Sequence, residues 1–414
     1  MQLYRKLTAM IDEESISMHV PGHKNNTIGY LPRIDWRYDM TEIEGLDDLH
    51  EPNGVLERLN GELSKKYDGY TAQMMVNGTT NGLLAAIYAI SKSHKRFIIA
   101  EGAHKSIYHA LELAGVDYIS VTIEECVFFS FTTDDVLLIT YPTYIGECFN
   151  IESIIHHVHS LGGIVITDEA HGAHFDIAEG FPTSSMNYQS DVTIQSYHKM
   201  LPALTMASVI FVRDRLIYQS IMKYIDYFET SSPSYLVMAS IEQAHGFYND
   251  YNAEKFFHKR EKLIEVLKER NIEVRMQADP AKLLLFHPVI TPRSLAECFI
   301  AQGIYPEMWG DEGVLFCLPL FHDNDRFPFR LLLERICTMN ITESTSVTIE
   351  VSIDFLENRV CVQSIIPYPP GVPLVHEGER ITSSAVKSIA HYLNNHVRIE
   401  GVKANLEHYK NEDD

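Results

Sequence analysis

DVTIQSYHKMLPALTMASVIFV, residues 191–212, sets a histidine–lysine pair between two β-prone apolar runs, DVTIQS and ASVIFV. Runs of that length and character read as buried strands. An ammonium between two core-seeking segments is costly unless it is paired, hydrated or used covalently. The dipeptide alone decides nothing, since His-Lys also stands at 23, 94, 104 and 258. Lys199 is either a loop lysine whose tip reaches water or a lysine used for chemistry, and the rest of the chain decides between them.

Upstream, strand-like and helix-like runs alternate. TAQMMV (71–76), RFIIAE (96–101), DYISV (117–121), DVLLITYP (135–142) and IVITDEA (164–170) predict strands. LLAAIYAISK (83–92), SIYHALELAG (106–115) and IESIIHHVHSLGG (151–163) predict helices between them. Short buried strands alternating with helices of about ten residues predict an α/β domain with a mostly parallel sheet. Downstream, a helical tract over 234–270 is expected to break near Gly246. EVRM, KLLLFHPVI, GVLFCLPL and SVTIEVSI then read as strands, and the tail over 381–410 reads as helical. The expected division is an N-terminal helix and arm over 1–40, a large α/β domain over 41–250 and a smaller α+β domain over 251–414.

Bulk composition narrows the function. The chain has 414 residues and a formal net charge of −22. That balance argues against nucleic acid as a main partner, which needs clustered Lys and Arg. Six cysteines, at 126, 148, 298, 317, 337 and 361, form no C-x-x-C pair, as expected of reduced thiols in a cytoplasmic protein. The N-terminus MQLYRKLTAMIDEES lacks a signal-peptide core, and no apolar run reaches the roughly 20 residues of a membrane helix.

In open α/β sheets, ligands bind beyond the carboxyl ends of the strands. Four polar groups fall there. NGTTNG (77–82) joins a strand to a helix and suits an anion on exposed N–H groups, although a plain N-cap turn reads the same way. His104 opens a helix after RFIIA, as a cap, a proton shuttle or a ring that stacks on a planar cofactor. Asp168 ends a strand and wants a cation or an N–H donor. Asp168, His171 and His174 have conceivable metal spacing, but Gly172 breaks a rigid H-x-x-H and no third histidine stands nearby, so no metal is expected. His156, His157 and His159 are read as surface residues. Lys199 follows Asp168 one strand later. A phosphate cradle, a stacking ring, a carboxylate for a pyridinium nitrogen and a lysine for a Schiff base are together what pyridoxal phosphate needs.

The sequence resembles the Orn/Lys/Arg decarboxylases, bacterial basic amino-acid decarboxylases of the aminotransferase-like fold (fold type I). The pieces that carry the resemblance are HVPGHK (19–24), TEIEGLDDLHEPNGVLE (41–57), VNGTTNG (76–82), AHKSIYHAL (103–111), YPTYIGECFNI (141–151), DEAHGAHF (168–175), QSYHKMLPALTMAS (195–208) and IPYPPGVPLVHEGERI (366–381). The resemblance implies that Lys199 carries pyridoxal 5'-phosphate and that Gly78, Thr79, Thr80, Ser196 and His198 hold its phosphate. It implies His104 on one ring face, Ala170 and His171 on the other, Asp168 at the ring nitrogen and Thr143 at the phenolic oxygen. It further implies a homodimer with the active site at its interface, and Glu307 as a group for the substrate's distal cation. Decarboxylation of lysine, arginine or ornithine is the expected reaction, with protonation by Lys199 or His104. Another fold type I reaction, such as amine transfer or β-elimination, and a catalytically silent cofactor-binding protein are the alternatives.

Overall fold

The structure, a computed structural model, describes residues 2–343, 353–368, 371–394 and 397–410. The expected strand SVTIEVSI lies outside the described residues except for Ile353, as do Pro369 and Pro370 of the PYPPG stretch. Among the described residues no helix is long and apolar enough to cross a membrane.

The chain opens with α1 (Gln2–Asp12), the short strand β1 (Ile16–Met18) and, after an irregular arm, α2 (Val55–Ser64). Strands β2 (Thr71–Met75), β3 (Arg96–Ala100), β4 (Tyr118–Val121), β5 (Asp135–Thr140), β6 (Ile164–Asp168), β7 (Val192–Ser196) and β8 (Ser208–Val212) follow. They form one sheet in the order β2-β8-β7-β6-β5-β3-β4, parallel except where β8 runs against both β2 and β7. Between them run α3 (Gly78–Ile90), α4 (Lys105–Ala114), α5 (Ile151–Ser160) and the one-turn α6 (Tyr197–Met200). The expected helix at 83–92 thus begins five residues early, at the glycine of NGTTNG.

The inner strands β3, β5 and β6 are largely apolar because both faces are covered, whereas β4 at the sheet edge is mostly exposed. Phe97, Ile99, Val136 and Leu138 point into a cluster with α3, α4 and α7 (Arg215–Phe228). Their neighbours Ile98, Leu137 and Ile139 point the other way, into a cluster with Ile154 and Val158 of α5. Period-two alternation therefore survives as a choice between two buried faces, not between core and water.

Past the sheet, α8 (Tyr235–Asp250) and α9 (Glu254–Glu269) are separated at Tyr251–Ala253. Gly246 sits inside α8, with room around it, so the break comes later than expected. A helix interior tolerates one glycine at about 1 kcal/mol. β9 (Glu273–Met276), β10 (Lys282–Phe286), α10 (Pro292–Ala301), β11 (Ile304–Pro306), β12 (Met308–Gly310), β13 (Gly313–Cys317) and α11 (Phe329–Thr338) come next. β12, β13, β10 and β9 make an antiparallel sheet in that order, and β11 pairs with β1 from the N-terminal arm. Finally β14 (Ile366–Tyr368), α12 (Ser383–Asn394), β15 (Arg398–Glu400) and α13 (Val402–Lys410) pack around Leu356, Ile365, Ile381 and Ile389, a core of their own. The tail is thus two helices with a strand between them, not one helical run.

The arm is bound to the lysine loop. Gly22 N–H donates to the His198 carbonyl at 2.8 Å, and a Cβ on Gly22 would lie 2.6 Å from the Leu201 carbonyl oxygen. Gly22→Ala should therefore push backbone from backbone, at a cost of about 1–3 kcal/mol. A lowered midpoint in thermal denaturation is the expected reading, and an unchanged midpoint would show that the arm is loose.

Candidate active site

Lys199 is placed by a strand that stops and a turn that is anchored from below. β7 ends at Ser196, and the fully buried Tyr197 ring seats α6 against the core. The partly buried Lys199 then stands at the carboxyl edge of the sheet, its Nζ 3.2 Å from His171 Nε2. Burial pulls the Lys199 ammonium below the usual lysine range, and Lys282 adds to that pull. The Asp168 carboxylate opposes it. Burial in turn raises the Asp168 carboxyl, against the charge of Lys199 and the Ala170 N–H, which donates to Asp168 Oδ1 at 3.1 Å. Asp168 is thus a buried carboxylate at the end of β6, and Lys199, when protonated, is the cation that favours its charged form.

The loop expected to cradle an anion joins β2 to α3. α3 starts at Gly78, whose N–H donates to the Met206 carbonyl at 2.9 Å, and Asn77 offers no side-chain cap to the N–H groups of Thr79 and Thr80 behind it. Ser196 Oγ donates to Thr79 Oγ1 at 3.2 Å, which joins the end of β7 to the first turn of α3. Thr80 is exposed beside them. Glu229, a buried carboxylate, accepts from the N–H groups of Val76 at 2.6 Å and Asn77 at 3.2 Å and so pins the loop from behind. His198 Nδ1 lies 3.1 Å from the Ala207 carbonyl, and burial drops its pKa to about 4.

His104 caps α4, its Nδ1 meeting Ser106 Oγ at 2.8 Å. Burial, helped by the charge of Lys199, lowers its pKa to about 4, so the ring is neutral at physiological pH. The C-terminal core holds that ring in place: a Cβ on Gly371 would lie 2.8 Å from His104 Nε2, and Lys105 N–H donates to the Gly371 carbonyl at 2.9 Å. Lys105 also pairs with Glu400 at 2.7 Å.

Other expected residues land differently. Thr143 Oγ1 accepts the Glu147 N–H at 3.0 Å, which leaves its own proton free to donate. Glu307 has both oxygens engaged, by Tyr144 O–H at 2.5 Å and by Val20 N–H at 2.8 Å. It ties the N-terminal arm to Tyr144. His174 turns away from the site and meets Asp279 at 2.9 Å, both groups fully buried. His171 sits between two lysines. His157 and His159 are half-buried and bonded to the Phe129 carbonyl and Asp191, so only His156 is exposed.

Sequence reasoning missed Lys282 and Tyr144. Lys282 is fully buried; its Nζ lies 3.1 Å from His171 Nδ1 and also meets the Tyr144 carbonyl. The Tyr144 ring meets His171 edge-on at 4.7 Å. The signal was available for Lys282: a lysine opening the apolar run KLLLF is the same oddity that singled out Lys199. Beside Thr140, Thr143 and Tyr144 opens a cavity of about 960 Å³, walled further out by Glu101, Glu124, Glu147, Asp311 and Glu312.

The donor set fits a planar, phosphate-bearing pyridine aldehyde. Hydroxyls and helix N–H groups suit the phosphate, a fixed neutral ring suits one face, a buried carboxylate suits a ring N–H, and a lysine suits the carbonyl.

Comparison with known proteins agrees. The model of the Orn/Lys/Arg decarboxylase major domain matches residues 2–129 and 117–302, and that of the same family's C-terminal domain matches 339–401. An uncharacterized protein of Bacillus subtilis, YaaO, is 29% identical over 96% of this chain and 95% of its own. An arginine decarboxylase of Bacillus subtilis is 27% identical over 58% of this chain, which spans about half of that enzyme, 54%. The constitutive lysine decarboxylase of E. coli superposes with a TM-score of 0.69 at 17% identity, over 88% of this chain and 73% of that one. A serine palmitoyltransferase from S. paucimobilis with bound PLP–myriocin aldimine superposes with a TM-score of 0.55 at 13% identity, over 68% of this chain and 75% of that one. The fold is that of PLP fold type I enzymes, a mostly parallel central sheet with smaller C-terminal parts.

Proposed function

The chain belongs to the Orn/Lys/Arg decarboxylase family, and on that premise we propose that it removes the α-carboxyl group of lysine, arginine or ornithine. The cofactor would be pyridoxal 5'-phosphate on Lys199. The products would be CO₂ and a diamine or agmatine. The observation that carries this reading is the convergence of Lys199, Asp168, His104 and the Ser196–Thr79 pair on one carboxyl edge of the sheet.

When bound, pyridoxal phosphate supplies an electron-withdrawing ring that takes up the electron pair left by departing CO₂. Gly78, Thr79, Thr80, Ser196 and His198 would bind the phosphate. His104 would cover one ring face, and Ala170 with His171 the other. Asp168 would hold a proton at the ring nitrogen. Thr143, with its hydroxyl proton free, would donate to the phenolic oxygen. Lys199 would hold the carbonyl carbon and give it up to the incoming amine. Lys199 or His104 would then return a proton to the α-carbon.

The five carboxylates of the neighbouring cavity supply a wall for a distal cation. They suit that role better than Glu307, whose oxygens are already taken. A cytoplasmic homodimer completes the proposal. Leu3, Leu7 and Ile11 on one face of α1, and Trp36, Met40 and Ile43 in the arm, are all exposed, and a second copy would cover them.

The test is a panel. Purified protein with pyridoxal phosphate is given lysine, arginine, ornithine and, as a neutral isostere, norleucine, with release of labelled CO₂ and the amine product followed. One basic amino acid should exceed norleucine in kcat/KM by at least about tenfold, the equivalent of ~1.4 kcal/mol. Bound cofactor with no product from any of the three would reject decarboxylation. Amine transfer to a keto acid would mark an aminotransferase instead.

A further inference from the structure

Lys199, His171 and Lys282 form one hydrogen-bonded row. Lys282 Nζ is 3.1 Å from His171 Nδ1, and His171 Nε2 is 3.2 Å from Lys199 Nζ. Burial and the two flanking lysines hold the His171 pKa well below its ordinary value, so the ring is neutral. A neutral imidazole has one N–H and one lone pair. An ammonium only donates. Two ammonium groups therefore cannot both bond to this ring: one lysine must be a free amine that accepts the ring N–H.

The surroundings decide which. Lys282 has the Tyr144 carbonyl as a fixed acceptor and lies near the Asp279 carboxylate and the Cys317 thiol. Gly146 packs so closely on its stem that a Cβ there would lie 2.9 Å from Lys282 Cδ, which holds the side chain in line. Around Lys199 stand Asp168, Glu307, Cys317, His104, His198 and Lys282 itself; its one hydrogen-bond partner among the described residues is His171. The cation belongs on Lys282. Its ammonium donates to Nδ1, which puts the ring proton on Nε2, aimed at Lys199.

We propose that Lys282 is a positioning residue which, acting through the His171 tautomer, keeps Lys199 as the free amine able to capture an aldehyde. This rests on the reading of Lys199 as the carbonyl-trapping lysine. The step itself is balanced: the Nζ lone pair adds to the aldehyde carbon, a proton passes from nitrogen to oxygen, and the nitrogen loses its second proton as water leaves a C=N bond. An ammonium has no lone pair to start it.

The experiment measures capture, not turnover. Apoprotein is mixed with pyridoxal phosphate across a pH series, quenched with borohydride, and the label on Lys199 is quantified by peptide mapping. Without the cation of Lys282, His171 is free to turn its lone pair toward Lys199 and stabilise the ammonium. Lys282→Met should shift the capture profile to higher pH and slow capture at pH 7 by about tenfold. Lys282→Arg keeps the charge and should restore the profile. A Lys282→Met profile matching the parent, or an Arg variant behaving like Met, overturns the proposal. Should Lys282→Met fail to fold, ¹⁵N NMR of histidine-labelled parent protein decides. A His171 ring protonated on Nε2 supports the proposal, and one protonated on Nδ1 overturns it. If the parent protein captures nothing at Lys199, the reading of Lys199 itself has failed, a result distinct from either.

Discussion

Lys199→Ala is expected to abolish borohydride-trapped labelling by pyridoxal phosphate and to cut decarboxylation by about 10⁴-fold or more. No neighbour can replace it. Lys282 points its ammonium at the Tyr144 carbonyl and at His171, and Lys24 is buried against the His19 and Cys317 carbonyls. Stability should respond to two opposed effects. Burial lowers the Lys199 pKa in the folded state, so the unfolded chain binds the proton more tightly. Such a group opposes folding fully below its folded pKa, and the penalty fades as pH rises toward the unfolded value near 10.4. Removing it at neutral pH removes that penalty. The same substitution leaves the buried Asp168 carboxylate without the charge of Lys199, which opposes that gain, so the midpoint should move little while all capture is lost. A variant that melts lower and still captures the aldehyde would place the chemistry elsewhere.

Much of this site was open to sequence reasoning because its residues stand at fixed offsets from strands that announce themselves. The apolar runs around 136–140, 164–168 and 192–196 are unmistakable, and Asp168 and Ser196 end two of them. The N-cap at His104 and the glycine opening α3 are local too. What stayed hidden are contacts that join distant parts of the chain. Val20 meets Glu307 across 287 residues, Lys24 meets Cys317 across 293, and Lys282 meets His171 across 111. Periodicity reports that a residue is buried, never against what. Glu307 shows the cost: its place beside the site was expected, yet the two donors that occupy it come from the arm and from a loop after β5. Gly246 shows another limit, since propensity predicts a helix break at a position that the structure keeps inside α8, with open space beside the glycine.

Asp168→Asn separates binding of the aldehyde from its use. The amide keeps the shape of the carboxyl and can still accept the Ala170 N–H, so the end of β6 should hold. Its negative charge is gone. Losing one fixed group that stabilises charge developing in a reaction typically raises the barrier by about 2.7–4 kcal/mol, roughly 10²- to 10³-fold in rate. Turnover should fall by that factor, because a neutral amide cannot hold the proton on the ring nitrogen that makes the ring an electron acceptor. Capture by Lys199 should persist. The Asp168 charge is what favours the ammonium form of Lys199, so its loss pushes the Lys199 pKa further down and moves the capture profile to lower pH, opposite to the shift expected of Lys282→Met. The two variants bracket Lys199 from its two charged neighbours, one stabilising its proton and one expelling it. Near-normal turnover in Asp168→Asn, or a capture profile moved upward, would remove Asp168 from the ring nitrogen and from its place as the lysine's counter-charge.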